Sequence, residues 1–314
     1  AAYGDDGWCE RAKRRISEWL GREGDVNFVP GGTAANSLCI SASIRSYQSV
    51  LCHEFSHIHC DECHAPGWFN PGIQLRPLPG SKGKLDPSTF ESVRDASHGV
   101  HGTLPGLVSV TQTTEVGTVY ELSEIRAVAE EAHRLDMLLH MDGARFCNAL
   151  VALDTTPAEM SWKCGVDLLS LGGVKNGLGF GEVMVVFDPD TVDRMDYRVK
   201  QSGQLTSKMR FLSAPWIPYL ETGEWESNAR NANRMARRLA SRLEDIQEVT
   251  LLYPVQANAV FCSMSAKRYD ALTARGWSFY PFDAVGGYRL MCSWDTREED
   301  VDAFIADLRD IGDR

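Results

Sequence analysis

Three short stretches of this chain carry side chains that could do chemistry together. The first, Gly31-Gly32-Thr33, follows a run that reads as a strand, Val26–Val29, and opens a segment of helical period, Ala34–Ile44. Unpartnered backbone N–H groups and the dipole at such a helix start favour an anion such as phosphate. A tight turn with no ligand uses the same glycines, so this stretch alone leaves both readings open. The second, His140-Met141-Asp142-Gly143-Ala144-Arg145, places an acid and a guanidinium where the strand candidate Met137–Met141 ends. The third runs from Leu168 to Gly177 and delivers Lys175 on a glycine-rich loop after the strand candidate Asp167–Leu171. Ligands of open α/β sheets collect beyond the carboxyl ends of the strands. A lysine placed there can form a Schiff base with an aldehyde cofactor, and an aspartate can keep a pyridine nitrogen protonated. A phosphate cradle can anchor the same molecule, so the set points to pyridoxal 5'-phosphate. Singly, each residue has a plainer reading: Asp142 as a helix N-cap, Lys175 as a solvated loop lysine, Arg145 as a surface ion-pair partner. Their succession at neighbouring strand ends favours the cofactor.

A competing motif lies upstream. His53-Glu54-Phe55-Ser56-His57 has the H-E-x-x-H spacing of zinc peptidases, with Cys52, His59, Cys60, Cys63 and His64 close by. That chemistry needs both histidines one helical turn apart on one face, with the glutamate activating water. The motif abuts the strand candidate Ser49–Cys52, and the glycine and third histidine of longer zinc signatures do not follow it. The expectation is no metal, with Cys60 and Cys63 as small buried or half-buried thiols on a helix. The run Lys208-Met209-Arg210-Phe211 with Trp216 is expected to pack at a domain or subunit contact, and the acidic stretch Asp295 to Asp313 to be a solvated helix face.

The elements that must position these residues alternate, as in a mostly parallel sheet with covering helices. Leu107–Thr111 and Glu182–Phe187 complete the strand candidates, and Ser123–Leu135 reads as a helix with Ser123 as N-cap. The texture changes after about Ser213, where Pro215 and Pro218 are expected to break a helix and a polar helix from about Glu224 to Ile246 follows. Beyond it, Val249–Tyr253, Ala259–Met264, Lys267–Arg275 and Tyr288–Trp294 read as strand, strand, helix and strand, with a closing helix from about Arg297. The fold class is therefore α/β: a large sheet domain over residues 1–213 and a small α+β domain over 214–314.

Composition bounds the partners. No apolar run reaches the roughly 18 residues of a membrane span. The 32 basic against 43 acidic residues give a formal charge of −11, which opposes a polyanionic partner such as nucleic acid. Nine cysteines, an odd number scattered through apolar segments, suit a reducing cytoplasm. The opening AAYGDDGWC reads like the interior of a fold, so a further N-terminal segment is expected before it.

In these stretches and several others the chain resembles the low-specificity L-threonine aldolases, in particular the bacterial branch that also cleaves phenylserine. YGDD, GGTAAN, HMDGARF, SLGGVKNG, KQSGQLTSKMRFLSAPW and RLMCSWDT carry the likeness from Tyr3 nearly to the C-terminus. The resemblance implies the aspartate-aminotransferase-like fold, type I of the pyridoxal-phosphate enzymes. It implies retro-aldol cleavage of L-threonine, L-allo-threonine and related β-hydroxy-α-amino acids to glycine and an aldehyde. It makes Lys175 the Schiff-base lysine, Asp142 the partner of the pyridine nitrogen and His57 the imidazole stacked on the ring. Gly32 and Thr33 fall on the phosphate turn, Arg145 and Arg289 on the two arginines that grip the substrate carboxylate. Lys200 and Arg210 fall where the family reaches toward the phosphate, in one reading from a neighbouring subunit. Tyr3, Asp61 and His101 match positions near the substrate side chain, and His57, His101, Asp61 or a water is left to take the hydroxyl proton. A homodimer or homotetramer with shared active sites is implied as well. Where many relatives carry a histidine, this chain has Thr113-Thr114-Glu115-Val116-Gly117. A β-hydroxy amino acid transaldolase or a β-eliminating lyase would use the same lysine, aspartate and arginines.

Overall fold

The computed structural model describes residues 1–312. Seven strands form the larger sheet: β1 (Asp25–Val29), β2 (Gln48–His53), β3 (Gln74–Leu78), β4 (Leu104–Thr111), β5 (Leu138–Gly143), β6 (Leu168–Leu171) and β7 (Glu182–Val186). Their order is β1-β7-β6-β5-β4-β2-β3, parallel from β3 through β6, with β7 antiparallel to both of its neighbours. Strands β5, β6 and β7 are nearly continuous apolar runs because helices cover both faces of the sheet, so alternation has no solvent side to serve. On one face lie Val29, Leu38, Ile40, Val50 and Met184; on the other, Leu51, Val108, Leu139, Leu169 and Trp216.

The parallel register aligns the carboxyl ends of three strands. Thr111 on β4 pairs with Asp142 on β5, and Asp142 with Ser170 on β6. Beneath them the buried His140 ring lies 2.9 Å from Ser109 Oγ at Nδ1 and 2.9 Å from Ser170 Oγ at Nε2. Burial pushes its pKa down to about 4, so it ties three strands together as a neutral group.

Gly172 shows how tightly β6 leaves the sheet: a Cβ there would sit 2.7 Å from both Ala144 Cα and Ala144 O. Gly172→Ala must displace backbone that carries Asp142 and Arg145. We expect it to lower unfolding stability by roughly 1–3 kcal/mol, read as a lower urea midpoint with an unchanged slope.

Four further strands, β8 (Thr250–Leu251), β9 (Ala259–Ser263), β10 (Tyr280–Phe282) and β11 (Gly287–Met291), make a second, antiparallel sheet in the order β10-β11-β9-β8. It packs with the helices Glu224–Leu243, Ala266–Ala274 and Glu298–Gly312 around Met235, Leu239, Val260 and Leu308. The helix Trp216–Glu221, with Pro215 at its N-cap and Pro218 in its first turn, sends Trp216, Ile217 and Tyr219 into the core of the larger sheet. The acidic face of the last helix is paired as well as solvated: Asp302 accepts from Arg238 and Asp307 from Arg275, while Asp313 lies outside the described residues. No described helix is long and apolar enough to cross a membrane.

Two local expectations need correction. The helix expected to be capped by Ser123 spans Leu122–Arg134 and is capped two residues earlier by Glu121, whose N–H donates to Glu124 in a capping box. Cys60 and Cys63 are exposed, not buried, since the chain turns with positive φ at Cys63 and His64. The helix Gly7–Leu20, capped by Asp6 through the N–H groups of Trp8 and Cys9, and the strands β3 and β10 were not anticipated.

Candidate active site

The strand ends open into a cavity of about 710 Å³ whose walls include Gly32, Thr33, His57, Asp61, Asp142, Arg145, Lys175 and Arg289. At one end, Gly31 precedes the helix Gly32–Ser43 with extended backbone and no side-chain cap. A Cβ at Gly31 or Gly32 would meet no atom within 4 Å, so the helix start has open space beside it. That is a cradle for an anion.

Asp142, at the end of β5, is nearly buried. Its Oδ1 accepts from the Ala144 N–H at 3.0 Å and its Oδ2 from Asn36 Nδ2 at 2.9 Å, so both oxygens are held in place. Lys175 sits in the short turn Val174–Asn176 after β6 and exposes its side chain to the cavity. Protein crowds it elsewhere, and that desolvation, with the nearby Arg145 charge, lowers its pKa. A lowered lysine pKa leaves more of the nucleophilic free amine.

The arginines are under-satisfied. Arg145 Nε and Arg289 Nε are buried and without a hydrogen-bond partner, and burial lowers the pKa of both. Arg289 lies under Tyr280, its guanidinium carbon 4.6 Å from the ring centroid. Two half-buried arginines that line one cavity with unpartnered Nε donors could receive a carboxylate or phosphate.

His57 opens the short helix His57–Cys60 and is held at two points: its N–H donates to Glu115 Oε1 at 2.9 Å, and its Nδ1 lies 2.8 Å from Glu62 Oε1. The bond to Glu62 raises the His57 pKa, and burial raises that of Glu62. Burial also pushes the Glu115 and Glu182 carboxyls up to about 7; Glu182 accepts the Gly173 N–H at 2.7 Å beside the lysine turn.

The H-E-x-x-H spacing does not form a zinc site. His53 ends β2, whereas His57 begins a separate helix after a turn, so the two rings are not stacked one helical turn apart. His53 uses both ring nitrogens on backbone, Nε2 with Gly80 O at 3.1 Å and Nδ1 with the Phe55 N–H at 3.1 Å. Among the described residues no group of three metal-ligating side chains gathers anywhere.

Comparison with known proteins bears on the same residues. A family model described as beta-eliminating lyase matches residues 1–267. A low specificity L-threonine aldolase from a Pseudomonas species is 46% identical over 310 residues, covering 99% of this chain and 90% of that protein. The chain belongs to the low-specificity L-threonine aldolases, within the beta-eliminating lyase family. The corresponding protein of Pseudomonas aeruginosa is also 46% identical, over 98% of this chain and 89% of its own length. The threonine aldolase structure from Leishmania major superposes with a TM-score of 0.92 at 28% identity, covering 99% of this chain and 91% of that one. The architecture is thus the pyridoxal-phosphate transferase-like α/β fold expected from the sequence, with a second small sheet.

Within this threonine aldolase chain, four expected site residues stand outside the cavity. Tyr3 lies under Lys200, whose Nζ is 4.4 Å from the ring centroid, and Arg210 donates to Ala1 O at 2.5 Å. His101 is exposed at the end of a short turn before β4. Conversely, Asn36, Glu62, Thr111, Glu182 and Tyr280 line the cavity without having been singled out, and Thr113 and Glu115, named above only as a departure from the family pattern, line it too. Asn36 stands within the GGTAAN motif, one helical turn beyond the glycines on the same helix. That spacing is a signal that could have found it.

Proposed function

We propose that this lyase cleaves L-threonine, L-allo-threonine and related β-hydroxy-α-amino acids to glycine and an aldehyde, with pyridoxal 5'-phosphate as cofactor. The observation that carries the reading is the convergence on one cavity of Lys175, Asp142, two anion-ready arginines and an uncapped helix start. The donor set fits the cofactor: Gly32 and Thr33 would hold its phosphate, Asp142 its pyridine nitrogen and Lys175 its aldehyde. Bound there, it would supply a protonated ring able to take up the electron pair of the breaking Cα–Cβ bond.

The protein's own part is positioning and proton handling. Arg145 and Arg289 would hold the substrate carboxylate and so fix which bond at Cα is presented for cleavage. Asp142, with both oxygens fixed, would hold a proton on the ring nitrogen. His57, assisted by Asp61 or a water, accepts the β-hydroxyl proton. We place Tyr3, Lys200, Arg210 and His101 as contributions to the cavity of a neighbouring copy in a homodimer or homotetramer, since none lines this chain's own.

Incubation with threonine, allo-threonine and phenylserine of both hands, with and without the cofactor, tests the reading. Equal amounts of glycine and aldehyde support it. Pyruvate or a 2-oxo acid with ammonia in their place would point to β-elimination. Arg289→Ala is expected to weaken amino-acid binding by roughly 10–100-fold, the scale of a lost charge-assisted hydrogen bond, while cofactor absorption is retained. An unchanged apparent affinity for threonine removes the arginine from that role.

A further inference from the structure

His57 is anchored in a way that the aldolase reading by itself does not require. The Glu62 side chain is fully buried, while the His57 side chain is 38% exposed and faces the cavity. Glu62 Oε1 meets His57 Nδ1 at 2.8 Å and accepts Asn36 Nδ2 at 2.9 Å; the same amide donates to Asp142 Oδ2. A carboxylate oxygen can only accept from Nδ1–H, so this contact fixes the tautomer and leaves the Nε2 lone pair for the cavity. Glu115, on the loop after β4, clamps the backbone of the same residue.

We propose that Glu62, held by Asn36, is the positioning residue that makes His57 a one-sided base, with Nε2 receiving the β-hydroxyl proton. The proposal rests on the aldolase reading. In the step, the O–H proton moves to Nε2, the O–H electron pair becomes the aldehyde C=O, and the Cα–Cβ pair passes to the glycine fragment. The imidazolium that forms keeps its Nδ1–H on Glu62, and the buried carboxylate balances its charge. Asn36 ties this pair to Asp142, so one amide aligns the base and the carboxylate meant for the ring nitrogen.

The charged groups facing His57 are Glu62 and Asp142, which favour its protonated form, and Lys175, which opposes it; Glu115 touches its backbone. Removing the Glu62 charge must therefore lower the pH at which the imidazole loses its proton. A base has to be neutral to act, so the acid limb of the kcat profile should move to lower pH in Glu62→Gln. The weaker base should lower kcat about tenfold or more, with KM and cofactor absorption near the parental values.

A second readout does not depend on turnover. Long-range ¹H–¹⁵N spectra of ¹⁵N-histidine-labelled full chain, with the His57 signals assigned by their loss in His57→Asn, report tautomer and titration directly. Wild type should show the Nδ1–H form when neutral, and Glu62→Gln a lower titration midpoint. An Nε2–H form in wild type, or an unmoved midpoint in Glu62→Gln together with an unmoved pH profile, overturns the proposal. Glycine and aldehyde formation by wild type would still stand in that case, so the two failures are distinguishable.

Discussion

Exchange of Lys175 for alanine is expected to abolish the visible absorption of bound cofactor and to lower turnover by roughly three orders of magnitude or more, the scale of covalent and general-base groups. The amine is the group in the cavity whose lowered pKa and open approach suit bonding to an aldehyde. Its side chain stands on the cavity surface, so alanine opens no hole in the core, and the melting temperature of the cofactor-free protein should stay near the parental value. Spectra and initial rates measured side by side decide the matter. Retention of both absorption and turnover removes Lys175 from the chemistry.

Asp142→Asn is the second large effect. An asparagine there must point its NH₂ group either at Asn36 Nδ2 or at the Ala144 N–H, both of which are donors. The substitution thus removes the charge meant for the pyridine nitrogen and sets two donors against each other in a nearly buried place. Loss of one partner of such a buried charged pair is worth about 3–4 kcal/mol, so kcat should fall roughly 10²–10³-fold. Lys175 is untouched, and an absorbing complex should therefore persist with a shifted band. A kcat within threefold of the parent would show that the carboxylate does not serve the ring.

Much of this site was legible because its members stand at strand ends. Periodicity places β5 and β6, and Asp142 at the end of β5, with Arg145 and Lys175 just beyond the two strands, reaches the cavity through the register of a parallel sheet. The supporting network was not legible in the same way. Asn36 and Asp142 are 106 residues apart, and Glu115 meets His57 across 58. No local pattern announces such contacts; each is created by tertiary packing. Glu62 stands five residues beyond His57 in a segment crowded with cysteine and histidine, whose metal-ligand spacing masks it.

Among the elements, the missed strands share a cause. The edge strand β3 contains Pro77 and leaves Gln74 exposed, and β10 is three residues long with two exposed, so neither shows a buried period. Yet β10 brings Tyr280 and Phe282 to the cavity and stacks Tyr280 on Arg289. Tyr3, Lys200, Arg210 and His101 do not line this chain's own cavity, and nothing in their local sequence patterns marks that difference.

The central claim is a covalent one and can be read by mass. Purified protein loaded with pyridoxal phosphate, reduced with borohydride and digested, should carry the cofactor's mass on the peptide containing Lys175 and on no other lysine. Aldolase activity in a preparation whose reduced digest leaves Lys175 unmodified would contradict the account.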